Sequence, residues 1–492
     1  MNHLDYLLGC AAFSAGVKRA ELRPGVQLKE PQERAVERVM REPGVLAYHG
    51  LGSGKTLTSI AAGERLGGPV EVVVPASLRE NYKKELQKFV KGTPRKYNVE
   101  SYQKAISYDG LPPAKLTVFD EAHRMGQEGT AASQLPAKAQ GKVMLLTGTP
   151  LRNEPSELLP LLRAIAKDRP IPKSQKSFDI EFLQRKQVGP GFWGWLRGIK
   201  PGVEVHARNL PKLRKLVQGR VDYAPSVGAF PSVKREDVHV EMSPEQTSLY
   251  KSLMNANPGL SYKVRSNLPP SRAESQQLNA FLSAVRQVSN NPAAYDITQT
   301  GTPTKVKRMV GEIQKRHKED PDFRGLAYSN YLEAGINPLA KELEKLKIPH
   351  AVFTGEIKDE DRRQLVQDYN AGKYKMLLIS GAGAEGLDLK GTRLVQIMEP
   401  HWNQARIEQV IGRAVRHKSH EHLPAEKQNV TVQQYYAKPQ PNFLQRWGIA
   451  DPETGADEYL QTRSLEKQKL IDQFLTLLKE VGSEPIRNGQ QR

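Results

Sequence analysis

The sequence predicts an α/β protein built as two parallel-sheet lobes in tandem, with helical insertions between them. Three observations carry this. Short apolar runs rich in β-formers alternate with helical patterns over the first third of the 492 residues, the alternation resumes near Lys305, and a basic, proline-punctuated stretch separates the two. The strand runs are apolar on both faces, as strands of a helix-covered parallel sheet must be.

The first run, Val45 to Tyr48, leads into His49–Gly50–Leu51–Gly52–Ser53–Gly54–Lys55–Thr56 and a helical pattern, Thr56 to Leu66. Strand, glycine loop and helix in that order can bind phosphate. Glycines let backbone N–H groups turn inward, the helix N-terminus adds partial positive charge, and a lysine reaches the outer phosphates. Thr56 is then placed to hold magnesium. His49 stands where the strict phosphate-loop pattern has glycine, so the match is to the shorter form Gly–x–Gly–Lys–Thr, which needs partners elsewhere in the chain.

Val70 to Val74, Leu116 to Phe119 and Val143 to Leu146 read as further strands. Between the first two, Leu78, Tyr82, Leu86, Phe89 and Val90 share one helical face over Ser77 to Val90, with Ser77 and Glu80 as a capping box. The next strand ends in Val118–Phe119–Asp120–Glu121–Ala122–His123, which sets two carboxylates at the carboxyl end of a strand, where ligands of open α/β sheets bind. Asp120 is suited to hold magnesium and Glu121 to polarise the attacking water. An acid-rich helix N-terminus would explain the pair equally well without the lysine loop; with the loop, the catalytic reading is favoured. The third strand runs into Thr147–Gly148–Thr149–Pro150, which alone is only a turn.

From roughly Pro155 to Pro303 the strand signal thins out. Gly191 to Arg220 holds seven Lys or Arg, one acid (Glu204) and the aromatics Phe192, Trp193 and Trp195. Two readings stand side by side: contact with phosphates and stacking on bases, or a solvated basic face whose tryptophans anchor it in the core.

The second lobe shows strands at Gly325 to Tyr328, Ala351 to Phe353, Lys375 to Ile379, Arg393 to Met398 and Asn429 to Tyr435, with helices Pro338 to Lys347 and Lys358 to Tyr369. It has no glycine–lysine loop, so the first lobe is expected to bind ATP and the second to complete the site. Gln409–Val410–Ile411–Gly412–Arg413–Ala414–Val415–Arg416 supplies what is missing. In a helix Arg413 and Arg416, three apart, share a face. Guanidinium groups there would stabilise charge on a transferring phosphoryl group, an effect of roughly 10³ to 10⁵ in rate. An ordinary basic helix face has the same pattern.

Lys and Arg number 73 against 54 Asp and Glu, a formal charge of +19. That excess favours a polyanionic partner over a plain solubility device. The single cysteine, Cys10, excludes an internal disulfide and suits a reducing compartment. The uncharged stretch Leu7 to Val17 is too short to span a bilayer and follows an acid, Asp5, so it reads as an N-terminal helix and no membrane role is expected.

Taken together, these pieces resemble the superfamily-two helicases and translocases, and within them the Swi/Snf-type double-stranded DNA translocases. Gly52–Ser53–Gly54–Lys55–Thr56 looks like their motif I, Asp120–Glu121–Ala122–His123 their motif II, with the letters of a DEAH box, and Thr147–Gly148–Thr149–Pro150–Leu151 with Asn153 their motif III. Ser380 to Leu389 looks like motif V and Gln409 to Arg416 like motif VI. Gln32 matches the glutamine that reads adenine, and Val99–Glu100–Ser101–Tyr102–Gln103 resembles motif Ib, a nucleic-acid contact. Asn209–Leu210–Pro211–Lys212–Leu213, Met242 to Gln246 with Tyr250, and Leu282 to Pro292 are similar to the Swi/Snf pattern between lobes, which argues against a plain DEAH-box RNA helicase. Ser419 to Pro424 and Asp457 to Leu460 resemble the C-terminal part of the ATPases of large DNA viruses linked to early transcription.

The resemblance implies two RecA-like lobes, ATP and Mg2+ as cofactors, and double-stranded DNA as the most favoured partner. It implies nucleotide binding by Gln32, Gly52, Ser53, Gly54, Lys55, Thr56, Gly386, Asp388 and Gln409. Metal ligation falls to Thr56 and Asp120, catalysis to Lys55, Asp120, Glu121, Arg413 and Arg416, and nucleic-acid contact to Ser101 and Tyr102. Two departures stand out. The paired arginines usual after the Asn–Leu–Pro–Lys–Leu helix are reduced to Gly219–Arg220, and motif V reads Gly381–Ala382–Gly383–Ala384–Glu385–Gly386–Leu387–Asp388, without an early hydroxyl or basic residue. The implied layout is an N-terminal helical segment (1–24), lobe one (25–230), a helical linker (231–300), lobe two (301–440) and a helical C-terminal extension (441–492). The implied setting is viral or phage, in the host-cell cytoplasm or the virion, with transcription, replication or recombination proteins as partners of unspecified identity. A strand-separating DNA or RNA helicase and a nucleotide-switched transcription or packaging factor are the alternative functions.

Overall fold

The computed structural model describes residues 21–92, 96–108, 110–271, 273–299, 301–355, 357, 359–381, 387–447 and 453–486. The helix expected over Leu7 to Val17, and Gly386 with most of the motif V glycine run, lie outside them. The chain divides into two compact units. The first takes residues up to Gln184, Val205–Val227 and those from Lys469 onward; the second takes Arg185–Glu204 and Gly228–Gln468.

The first unit is built on β1 (Gly44–His49), β2 (Val70–Val74), β3 (Tyr97–Ser101), β4 (Leu116–Asp120), β5 (Lys142–Thr147) and β6 (Val221–Ala224). They form one parallel sheet in the order β6-β1-β5-β4-β2-β3. Successive residues of a strand face opposite ways, so Leu46, Val73, Phe119 and Leu145 enter one core while Val45, Val72, Val118 and Met144 enter the other. Burial on both faces is why the sequence shows continuous apolar runs. Ile471, Phe474, Leu478 and Val481, late in the long helix Ala456–Ser483, pack into the first of these cores. Glu21–Leu22, assigned by sequence to a helical segment, instead pair antiparallel with Lys91 and Val90.

Helix Arg79–Phe89 lacks the expected capping box. Ala76–Leu78 forms a 3₁₀ turn after Pro75, Leu78 is the N-cap without a side-chain cap bond, and Glu80 pairs with Lys83 at 3.0 Å instead. The proline-led turn delays the helix by two residues and takes Ser77 out of capping position.

In the second unit β7 (Ser232–Glu241), β8 (Gly325–Ser329), β9 (His350–Phe353), β10 (Met376–Ser380), β11 (Leu394–Ile397) and β12 (Asn429–Lys438) form a parallel sheet in the order β7-β12-β11-β8-β10-β9. Leu326, Leu377 and Val395 enter one core, Ala327, Leu378 and Leu394 the other. β7, which the sequence reading leaves in the linker, is an edge strand paired with β12 along its whole length. Its charged residues, Lys234 to Asp237, stay largely exposed, as suits an edge, and erase the apolar signature. Helices Pro244–Asn255, Pro258–Arg265 and Ser275–Asn290 follow, around Met242, Tyr250, Leu260, Val264 and Leu282. No helix among the described residues is long and apolar enough to cross a membrane.

One sheet residue makes stability depend on pH. Glu71, in β2, is fully buried, and burial pushes its carboxyl up from 4.5 to about 8, although Asn98 donates to it at 2.8 Å. Below pH 4.5 both folded and unfolded chains hold this proton. Between there and about pH 8 only the folded chain holds it, so stability falls by roughly 1.4 kcal/mol per pH unit across that window and levels off above it. Glu71→Gln is expected to remove this component of the slope and to be the more stable form at pH 8, as read by urea unfolding at pH 5, 6, 7 and 8.

Candidate nucleotide site

β1 ends at His49, and the loop Gly50 to Gly54 leads directly into α1 (Lys55–Leu66). Gly52 and Gly54 take φ of 74° and 80°, in the left-handed region. A β-carbon on Gly52 would lie 2.1 Å from the Val227 carbonyl oxygen, and one on Gly54 2.3 Å from Gln32 Nε2, so the loop needs glycine at both places. Gln32 Nε2 donates to Ser53 O at 3.0 Å while its Oε1 accepts from Lys29 N at 2.8 Å. Ser53 Oγ donates to Gly50 O at 2.7 Å, and Lys55 Nζ folds back onto His49 O at 3.1 Å. No side chain caps α1, so its first-turn N–H groups and the positive end of its dipole are left to a ligand. Thr56 lies in that first turn.

The carboxyl end of β4 lies in the same unit. Asp120 is 8% exposed, and burial, then the Glu121 charge, push its carboxyl up to about 6 against the pull of Lys55. A buried carboxylate this short of countercharge, with Thr56 at the helix start, fits a divalent cation carrying a polyphosphate. Glu121 adopts φ 53° and ψ 48°, a left-handed conformation that costs a non-glycine residue about 1–2 kcal/mol. His123 Nδ1 lies 3.3 Å from Glu121 Oε2 and 3.1 Å from Thr147 Oγ1, which also accepts from Thr149 N at 3.1 Å. Burial, with Arg152, Arg124 and Lys55, holds His123 down at about 3, so the ring is neutral and joins the acidic strand end to the Thr147–Thr149 turn. A β-carbon on Gly148 would lie 3.7 Å from Lys55 Nζ. The lysine loop, the carboxylates and the turn thus meet at one edge of one sheet.

The sequence reading of Tyr102 as a nucleic-acid contact does not hold for its side chain. The ring is buried and its hydroxyl donates to Asp120 O at 2.9 Å, supporting the carboxylate strand from inside. Ser101 Oγ accepts from Lys104 N at 3.2 Å as the N-cap of the following helix.

In the second unit, Gln409 and Arg413 lie one turn apart on α2 (Gln404–Ala414). Arg416 is not on it. The helix stops at Ala414 with Val415 as C-cap, and Ser419 Oγ donates to Arg416 O at 2.9 Å, holding a turn. The helical argument for a shared arginine face therefore fails; Arg416 instead pairs with Asp388 at 3.5 Å, bringing the ends of the motif V and VI segments together. The aromatics Phe192, Trp193 and Trp195 are exposed, which overturns the reading that they anchor the basic stretch in the core.

One buried cluster is not named by any motif in the sequence. Asp222, in β6, accepts from His49 Nε2 at 2.8 Å, Arg34 Nε at 2.7 Å and Arg38 Nε at 3.1 Å, with Asp222 and His49 fully buried. The histidine that displaces the motif glycine is thus an internal ion-cluster residue. It is absent from the positive-φ residues, so glycine is not required there. His49 hinted at it only as a departure from pattern; its partner lies 173 positions away.

The SNF2-related domain family matches residues 100–294 and the helicase conserved C-terminal domain matches 304–418. The chain is 28% identical over 467 residues to a protein of Acanthamoeba polyphaga mimivirus named as a candidate ATP-dependent RNA helicase, covering 91% of this chain and 95% of that one. It is 26% identical over 558 residues to a termination factor NPH-I homolog of African swine fever virus, covering 91% and 77%. A chromatin-remodeling complex ATPase of the ISWI type from Saccharomyces cerevisiae is 24% identical over 417 residues, covering 76% and 35%.

Proposed function

Because this chain belongs to the Swi/Snf-type branch of superfamily two and is a nucleic-acid-dependent ATPase, we propose that it is an ATP-driven translocase on double-stranded DNA. The observation that carries the reading is the meeting of Lys55, Asp120, Glu121 and the Thr147–Thr149 turn at one sheet edge, in a chain of net charge +19. Gly52, Ser53, Gly54 and Lys55 hold the phosphates through N–H groups and the ammonium. Thr56 and Asp120 hold magnesium, which when bound supplies charge neutralisation on the phosphates. Gln32 braces the loop and stands where the family reads adenine. Glu121 orients the attacking water, Arg413 and Arg416 supply guanidinium charge, and Gly386, Asp388 and Gln409 take part in nucleotide binding. Phosphate contacts, which are blind to sequence, give the grip on the duplex.

The expected result is ATP hydrolysis stimulated by double-stranded DNA more than by single-stranded DNA or RNA, with stimulation falling steeply between 50 and 200 mM salt. Lys55→Ala and Arg413→Ala are expected to lower the stimulated rate at least a hundredfold; either variant retaining it would sink the mechanism. Relatives named as helicase and as termination factor leave strand separation as the second reading. Triplex displacement without forked-duplex unwinding supports translocation, and the reverse supports separation. Many turnovers per enzyme would exclude a pure nucleotide switch.

A further inference from the structure

Strands Leu183–Val188 and Gly202–Ala207 form a small two-stranded sheet, and their connection carries the short helix Gly191–Leu196. On that helix Phe192, Trp193, Trp195 and Leu196 are 67%, 67%, 70% and 55% exposed. Four large apolar side chains on six residues is a costly surface, and it is not a loose one. Within the second unit, Tyr262 OH donates to Pro190 O at 3.2 Å, Val203 N donates to Pro270 O at 3.1 Å, and the Arg197 guanidinium stands 5.7 Å from the centre of the Tyr262 ring. Gly194 is the buried face of the helix: a β-carbon there would lie 2.6 Å from Pro190 and 3.0 Å from Tyr262. The helix is therefore pressed down through its glycine, and the rings turn outward. Phe192 and Trp193 stand edge to face at 5.4 Å.

From Leu183 to Val203 the chain carries Arg185, Lys186, Arg197 and Lys200 and no acid. A polyanion is the occupant this charge admits, and aromatic faces add stacking. A paired duplex hides its base faces and offers only edges and phosphates, so exposed rings gain nothing from it. We propose that this braced aromatic arm stacks on unpaired bases of nucleic acid, so that the enzyme prefers a duplex with an unpaired segment to a uniform one. The proposal rests on the nucleic-acid-dependent reading above and adds to it a specific state of the substrate.

The test is an anisotropy titration, without nucleotide, of labelled 30-base-pair DNA, either fully paired or with a central unpaired bubble. Wild type is expected to bind the bubble about tenfold more tightly, with a Trp193→Ala/Trp195→Ala variant losing that preference and a Trp193→Phe/Trp195→Phe variant keeping it. Uniform-duplex affinity, its salt slope and the basal ATPase rate without nucleic acid should stay as in wild type, because no phosphate contact is removed. No preference in wild type, or a preference surviving in the alanine variant, would overturn the proposal. So would an alanine variant that alters only self-association, which assigns the arm to protein docking. Absence of DNA-stimulated ATPase in wild type would count against the translocase reading and leaves the titration readable.

Discussion

Glu121→Gln is expected to lower the nucleic-acid-stimulated ATPase rate by about 10²–10³ while leaving nucleotide binding within a few-fold of wild type. Loss of a water-orienting carboxylate removes an interaction made mainly in the transition state, so kcat should fall and the nucleotide Kd should not rise. Binding is expected to tighten slightly if it moves at all, because Glu121 is the like charge beside Asp120. The measurements are steady-state kinetics and equilibrium titration with a fluorescent ATP analogue. An unchanged kcat would remove Glu121 from the chemistry.

Backbone geometry sharpens this into a second measurement on the same residue. Glu121 sits at φ 53°, where glycine would be unstrained. Glu121→Gly should therefore fold as well as wild type or better, by up to about 1 kcal/mol, and yet lose as much turnover as Glu121→Gln. A fold that keeps a strained acid where glycine is easier is spending stability on placing a carboxylate. If Glu121→Gly instead destabilises the protein, the residue is held by structural contacts such as the approach to His123.

Most of the sheet framework was legible because burial on both faces writes itself as unbroken apolar runs. Val70 to Val74 match β2 residue for residue, and Gly325 to Tyr328 miss only the last residue of β8. The lysine loop and the acidic strand end were legible because each is local, a glycine conformation or a strand terminus. What stayed hidden was set by distant partners. β7 has no apolar face of its own and exists because β12 offers it an edge. β6 is four residues long and carries an aspartate whose reason lies in His49, Arg34 and Arg38. Arg416 was misplaced because nothing in periodicity announces that Ser419 will donate to the Ala414 carbonyl, where the helix ends, and to that of Arg416 in the turn beyond it. The Trp193 and Trp195 stretch was ambiguous because exposed and anchoring tryptophans share one composition; only Gly194, pressed on Tyr262, decides which way the rings turn.

Removing the buried carboxylate of Asp222 should have the largest effect on the fold. Asp222→Ala leaves Arg38 and His49 in a buried pocket without their carboxylate and Arg34 with only its Glu30 pair, and stranding a buried cation such as Arg38 costs about 3–5 kcal/mol. For a unit of this size the expected fall in melting temperature is about 6–20 °C, read by calorimetry or circular dichroism. The nucleotide site should feel it too. β6 runs parallel beside β1, Ala224 O accepts from Gly50 N at 2.8 Å, and Leu51 N donates to Ser226 Oγ at 3.0 Å, so the strand carrying Asp222 also holds the start of the phosphate loop. The ATP KM should therefore rise at temperatures where the variant is still folded. His49→Gly, which restores the strict loop pattern, is expected to cost about 1–3 kcal/mol and to gain no turnover, because it removes the Nε2–H partner of Asp222. Combining the two substitutions should cost less than their sum, since they break the same contact. Additive losses would mean that histidine and aspartate act separately, and that the cluster does not brace the loop.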